Sequence, residues 1–164
     1  MSSPVIQTVQ IDIAQQQLSL TEGDTLLATF SISSALKGLG EQRNSGCTPR
    51  GLHRIRAKIG AGCAVNTVFV GRRPSGEIYT SELARCYPDR DWILSRILWL
   101  SGCEPGFNRL GDCDSMQRFI YIHGTPDTEP MGVARSHGCI RMRNEALIWL
   151  FERVQPGTPV QIFP

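Results

Sequence analysis

Tyr121-Ile122-His123-Gly124-Thr125 and Ser136-His137-Gly138-Cys139-Ile140-Arg141-Met142 are the two stretches on which the reading of this chain turns. The first closes a short β-prone run, Phe119 to Ile122, with a histidine. The second sets a cysteine directly after a glycine and close to another histidine. Cys139 follows His123 by sixteen residues, and the chain holds only three histidines. A thiol needs a base or a cationic neighbour to become a thiolate at neutral pH, and histidine is the usual one. A glycine before the cysteine lets the backbone turn tightly and expose the thiol. The N–H groups of Gly138 and Cys139 can then face a substrate carbonyl oxygen as an oxyanion hole. The imidazole of His123 needs an orienting partner, for which a backbone carbonyl serves as well as a carboxylate. Asp112, Asp114 and Asp127 are near in sequence. Zinc held by His123, His137 and Cys139 lacks a fourth ligand at any usual spacing, so neither a metal nor a cofactor is expected.

Outward from this pair the pattern is that of β-structure. Val9, Ile11 and Ile13 share one face, and so do Leu26, Ala28, Phe30 and Ile32, with a turn predicted at Glu22-Gly23-Asp24. Ser34 to Cys47 dissolves into glycine, serine, asparagine and charge, which predicts a long loop. Gly51 to Ile59 alternates again, with His53, Ile55, Ala57 and Ile59 on one side and Arg54, Arg56 and Lys58 on the other. Val65 to Val70 reads as a short apolar strand ending at Gly71. Ile93 to Leu100 fits strand or helix equally, because its apolar run has no period. One helix is predicted, with Asn144 as N-cap and Leu147, Leu150, Phe151 and Val154 at i, i+3, i+4, i+7. Gln155-Pro156-Gly157 ends it, and Val160 to Phe163 makes a closing strand. The expectation is one mainly β domain over residues 1–164, with a helix just after the cysteine motif.

Composition excludes several classes. A chain of 164 residues is long enough for one real core. Its net charge is only +2, and Arg72-Arg73 is its sole adjacent basic pair, beside the turn-like Pro74-Ser75-Gly76. No nucleic-acid partner is expected. The most apolar stretch, Trp92 to Leu100, is nine residues long and contains Ser95 and Arg96, too short to cross a membrane. The N-terminus lacks the pattern of a secretory signal, so a cytoplasmic location is expected, or a periplasmic one if the chain is a trimmed piece. Cysteines stand at 47, 63, 86, 103, 113 and 139 with no Cys-x-x-Cys. Reduced thiols suit this spacing better than disulfides or a zinc ribbon, and the five besides Cys139 read as small packing residues.

The two motifs together resemble the catalytic signature of the L,D-transpeptidase (YkuD-type) family. Asn44-Ser45 followed by Thr48-Pro49-Arg50-Gly51-Leu52-His53 is similar to the Thr-Pro-x-Gly opening of a strand in that family. Val68-Phe69-Val70-Gly71-Arg72, Leu98-Trp99-Leu100-Ser101-Gly102 and Arg118-Phe119-Ile120-Tyr121 also resemble its small single-domain members. The likeness runs over about residues 5 to 163.

The resemblance implies an L,D-transpeptidase-type β-sandwich with one or two helices. It also implies a bacterial cysteine acyltransferase acting on the stem peptides of peptidoglycan. Such an enzyme attacks the carbonyl of meso-diaminopimelate and expels the terminal D-alanine through a thioester. By motif position, Cys139 would be the nucleophile and His123 its base, oriented by the carbonyl of Gly124. His137 and the amides of Gly138 and Cys139 would line the oxyanion site. Arg141 would hold a substrate carboxylate and Ser136 would support the loop. His53 stands where many members carry an aromatic residue. The connection from His123 to Ser136 is at the short end of the family's range, which suggests a trimmed substrate-covering loop. The expected partner is a tetrapeptide stem or muropeptide, and carbapenem-type inhibitors follow by analogy. With no export signal visible, water is the expected acceptor, making the chain an L,D-carboxypeptidase of wall recycling. An amine acceptor, giving a 3-3 cross-link or D-amino acid exchange, is the alternative. A non-catalytic peptidoglycan-binding module is a third possibility, which the intact His123 and Cys139 argue against.

Overall fold

In the computed structural model, residues 3–164 are described. Ten strands and two short helices run in the order β1 (Gln7–Asp12), β2 (Gln17–Glu22), β3 (Thr25–Ser33), β4 (Gly51–Ile59), β5 (Thr67–Val70), β6 (Arg73–Ile78), α1 (Ser81–Cys86), β7 (Leu94–Gly102), β8 (Tyr121–Gly124), β9 (Ile140–Met142), α2 (Asn144–Arg153) and β10 (Pro159–Phe163). The sheet order is β4-β10-β1-β2-β3-β9-β8-β7-β5-β6, and β4 also pairs with β7. That extra pairing joins the ends of an eight-strand run into a closed ring and leaves β5–β6 as a hairpin off β7. Closure removes the exposed edges that an open sheet of this size would carry.

Val9 and Ile11 of β1 and Ile55 of β4 are buried in one core with α2, as their alternation predicts, and Leu18 and Leu20 of β2, a strand the sequence reading does not single out, join them. Leu26 departs from this: a register shift in the β2–β3 pairing sets it opposite Thr21, off the face that Ala28 and Phe30 share with Leu20 and Leu18, and it is exposed while Ile32 is buried. The run around Ile93 is strand β7. Eight of its nine residues are buried, because β7 is covered on both faces, and this is why it shows no period.

Helix α2 presents Leu147, Leu150 and Phe151, with Val154 just past its end, to the core. Its N-cap is Arg143, which makes no side-chain capping bond, so the expectation for Asn144 is corrected. Asn144 instead turns inward. Its amide nitrogen donates to the carbonyl of Thr125 at 3.0 Å, and its Oδ1 accepts from Ser95 Oγ at 2.7 Å. This side chain ties the helix to β7 and to the residue after β8. The bounds read for Gly51–Ile59 match β4, but a register shift between Ile55 and Ala57 turns the strand over, so Ile55 packs in the main core while Ile59 packs beside Phe69 and Ile97, which corrects the expected common face; β8 begins at Tyr121 rather than Phe119. Helix α1 escapes the sequence reading because it has no buried residue and so no apolar period, only an N-cap bond from the Leu83 N–H to Thr80 Oγ1.

Gly124 lies at the junction of these elements. A Cβ there would collide with Asn144 Oδ1 and stand 2.5 Å from the carbonyl oxygen of Leu94. Replacing Gly124 by Ala must push β8 off β7 or expel Asn144. Urea denaturation of Gly124→Ala should show a loss of at least about 2 kcal/mol, the scale for disrupting a buried hydrogen-bond node or overpacking a core. A change within about 0.5 kcal/mol, the range of an ordinary surface substitution, would contradict this packing.

Candidate active site

Strands β8 and β9 run parallel, in the register Ile122↔Ile140, His123↔Arg141 and Gly124↔Met142. Side chains alternate across a strand, so Ile122 and Ile140 enter the main core while Tyr121, His123, Cys139 and Arg141 share the other face. That face forms one wall of a cleft of about 430 Å³, which Arg72, Asp91 and Phe119 also line. The two motifs therefore meet through strand pairing rather than through sequence proximity.

Cys139 Sγ makes its hydrogen bonds to the backbone of the preceding segment. It accepts from the Tyr121 N–H and donates to the Phe119 carbonyl, each at 3.3 Å. Burial pushes the thiol pKa up to about 12, against the opposing pull of the Tyr121 N–H and of Arg141 and Arg118. His123 is fully enclosed, with Nδ1 2.6 Å from the carbonyl oxygen of Gly124. Burial lowers its pKa below the ordinary histidine value, outweighing the Gly124 bond and the Asp91 charge. The resting pair is thus a neutral thiol and a neutral imidazole, since neither charged form is well solvated here. Cys139 and His123 line the same cleft without a direct hydrogen bond between them.

The loop before Cys139 is held from two sides. Gly138 has φ +138°, in the region that favours glycine. Its carbonyl accepts from Thr48 Oγ1 at 2.9 Å, and the same Oγ1 accepts from the Ala35 N–H at 2.9 Å. Ser136 Oγ donates to the Cys139 carbonyl at 2.5 Å and accepts from the Gly138 N–H at 3.2 Å. Ser136 thus braces the loop. The Gly138 amide, expected at the oxyanion site, is engaged inside the loop instead, because Ser136 Oγ folds under the turn and takes it.

His137 and Arg141 converge on a residue that no motif singled out. Asp91 Oδ2 lies 3.2 Å from His137 Nδ1, and Asp91 Oδ1 lies 3.0 Å from an Arg141 guanidinium nitrogen. Burial would raise the Asp91 carboxyl, but His123, His137 and Arg141 together hold it below the usual carboxylate range. Arg141 is also 3.5 Å from Glu129. Both its arms are occupied, so the expected hold on a substrate carboxylate would require it to shed a partner. Asp112, Asp114 and Asp127 make no hydrogen bond to His123, whose orienting contact is the Gly124 carbonyl. His53 is buried, with Nε2 2.8 Å from Ser115 Oγ, and belongs to the packing beneath. All six cysteines are free, and among the described residues no group of His, Cys, Asp and Glu is arranged to hold a metal.

Comparisons with known proteins give the family and the fold. The sequence profile of the YkuD family, described as the L,D-transpeptidase catalytic domain, matches residues 6–162. The chain belongs to this family. A probable L,D-transpeptidase of Escherichia coli K12, YbiS, is 50% identical over 44 residues, covering 27% of this chain and 14% of that protein. The putative L,D-transpeptidase YqjB of Bacillus subtilis 168 is 44% identical over 45 residues, 27% of this chain and 26% of that protein. The matched stretches are thus a small part of these relatives' length. L,D-transpeptidase 3 from Mycobacterium tuberculosis, solved with a faropenem-derived adduct, superposes with a TM-score of 0.61 at 16% identity. That match covers 98% of this chain and 61% of that one. An L,D-transpeptidase from Mycobacterium smegmatis gives 0.58 at 18% identity, covering 98% and 59%. These structures share the fold of the family, a mainly β architecture of the barrel or sandwich type.

The neutral resting pair has a kinetic signature. Alkylation of Cys139 by iodoacetamide should climb through the alkaline range without levelling near pH 7, because the thiol pKa lies near 12. A plateau at neutral pH would reveal a preformed thiolate and contradict this electrostatic picture.

Proposed function

We propose that this protein is a cysteine acyltransferase on peptidoglycan stem peptides, cleaving the bond between diaminopimelate and the terminal D-alanine. The observation that carries the reading is the β8–β9 register, which sets Cys139 and an oriented, neutral His123 into one cleft. Family membership over residues 6–162 supports the same chemistry.

The steps follow from the residues. Cys139 leaves the Phe119 carbonyl, and its proton passes to His123 Nε2 as Sγ attacks the diaminopimelate carbonyl carbon. Proton transfer in step with attack avoids a buried ion pair in the resting enzyme. Nδ1–H of His123 donates to the Gly124 carbonyl throughout, which keeps Nε2 as the basic atom. His123 then returns the proton to the departing D-alanine nitrogen, and the thioester remains on Cys139. Water, deprotonated by the same imidazole, adds to the thioester and releases the tripeptide and the free thiol. Water is the favoured acceptor because it needs no second binding seat beside the thioester, and the His137 side chain at the rim, 75% exposed, leaves solvent close to it. A second reading, transfer to an amine, is favoured by an adjoining cavity of about 770 Å³. It shares Phe119 and His137 with the cleft and could seat an acceptor. The faropenem-derived adduct on the Mycobacterium tuberculosis relative supports β-lactams of this class as acylating agents here.

Digestion of a soluble tetrapeptide muropeptide, followed by mass spectrometry, tests both readings. Tripeptide and free D-alanine without an added amine are expected. The acidic limb of kcat/KM should lie below the ordinary histidine value, because His123 must be neutral to accept the proton and its pKa is lowered. Exchange seen only when a D-amino acid is supplied would favour the amine acceptor. An intact stem under both conditions would overturn the function.

A further inference from the structure

The cleft beside Cys139 contains two guanidinium groups in opposite electrostatic situations. The Arg141 side chain is 8% exposed and ion-paired to Asp91 and Glu129. Arg72 lines the same cleft and makes no ion pair among the described residues. It is carried on the turn between β5 and β6, with a left-handed φ of +66° that is uncommon for a long side chain.

Its surroundings hold the guanidinium in place without cancelling its charge. The group lies 5.0 Å from the Trp99 ring centroid and 4.7 Å from that of Phe119, within reach of both π faces. One terminal nitrogen donates to the Tyr121 hydroxyl at 3.1 Å. Burial raises the Tyr121 pKa, more than offsetting the pull of Arg72, so this partner is neutral at pH 7. Tyr121 is also the residue whose N–H reaches Cys139 Sγ. A guanidinium has five N–H donors in a rigid fork, and the Tyr121 bond uses one of them. Arg118, beyond Phe119, is no rival, since its terminal nitrogens are spent on the carbonyls of Gly40, Glu41 and Cys47.

We propose that Arg72 is the carboxylate-binding residue of the cleft and sets a preference for substrates with a free acid close to the scissile carbonyl. The inference rests on the acyl-transfer reading above. It moves to Arg72 the role that the family resemblance implied for Arg141. Two carboxylates of a stem tetrapeptide share the required chemistry: the α-carboxylate of the terminal D-alanine and the side-chain carboxylate of diaminopimelate.

The test uses the full chain and three synthetic tetrapeptide stems. One is the free acid, one is amidated at the D-alanine carboxylate, and one at the diaminopimelate side chain. Wild type should prefer the free acid over one of the amides by about 10- to 100-fold in kcat/KM, the scale of a charge-assisted hydrogen-bonded pair. The amide that suffers identifies the carboxylate. Arg72→Gln should bring that ratio close to one, and Arg72→Lys should keep part of it. A ratio unchanged in Arg72→Gln, or a wild type indifferent to both amidations, would overturn the assignment alone. Equal losses on acid and amide substrates in Arg72→Gln would likewise overturn it, since they mark a structural role. A wild type that leaves all three stems intact would overturn the acyl-transfer reading and this assignment with it.

Discussion

Parallel pairing of β8 with β9 is the constraint on which the site depends. The register Ile122↔Ile140 sends both isoleucines into the core and leaves His123, Cys139 and Arg141 on the cleft side. A slip of one residue would reverse every one of these directions. What prevents it is burial: Ile122, Ile140 and Met142 are fully enclosed, and each such side chain contributes about 1.5–3 kcal/mol. Asn144 adds a polar lock on the other side, joining α2 to Ser95 of β7 and to Thr125 after β8. Site geometry is therefore an outcome of core packing by the residues next to the site in the chain.

The same burial decides the electrostatics. Enclosure raises the Cys139 thiol and lowers the His123 imidazole, so each rests in its neutral form. The charge here belongs instead to Asp91, Arg141 and Arg72, which line the cleft, and to Glu129, which reaches Arg141 from outside that lining. Three of these form a paired chain, with Asp91 also contacting His137, and only Arg72 is unmatched.

Much of this was legible in the chain. Residue types and spacing mark His123, His137 and Cys139 as a candidate site, the family resemblance gives each its role, and the alternation in β1 and in the first half of β4 predicts the observed inward faces of Val9, Ile11 and Ile55. Other features were not legible, for physical reasons. Asp91 precedes Cys139 by 48 residues and reaches His137 only because the segment before β7 folds back over the cleft. Nothing local distinguishes it from the neighbouring Asp89. Asn144 follows a strand and opens a helix, so it looks like a cap, and only the bend of β7 at Ser95 shows why it turns inward. Arg141 reads as a ligand-holding arginine until Asp91 and Glu129 are seen on its arms. Arg72 reads as a solvated turn residue because Trp99, Phe119 and Tyr121 are distant in sequence.

The central claim is that Cys139, served by His123, carries the acyl group. Peptide mapping by mass spectrometry after incubation with a carbapenem tests it most directly, because six free thiols are available to choose among. The account predicts one adduct per chain, located on Cys139, abolished by Cys139→Ala and strongly slowed by His123→Gln. An adduct on another cysteine, or one that forms on Cys139 at an unchanged rate without His123, would contradict it.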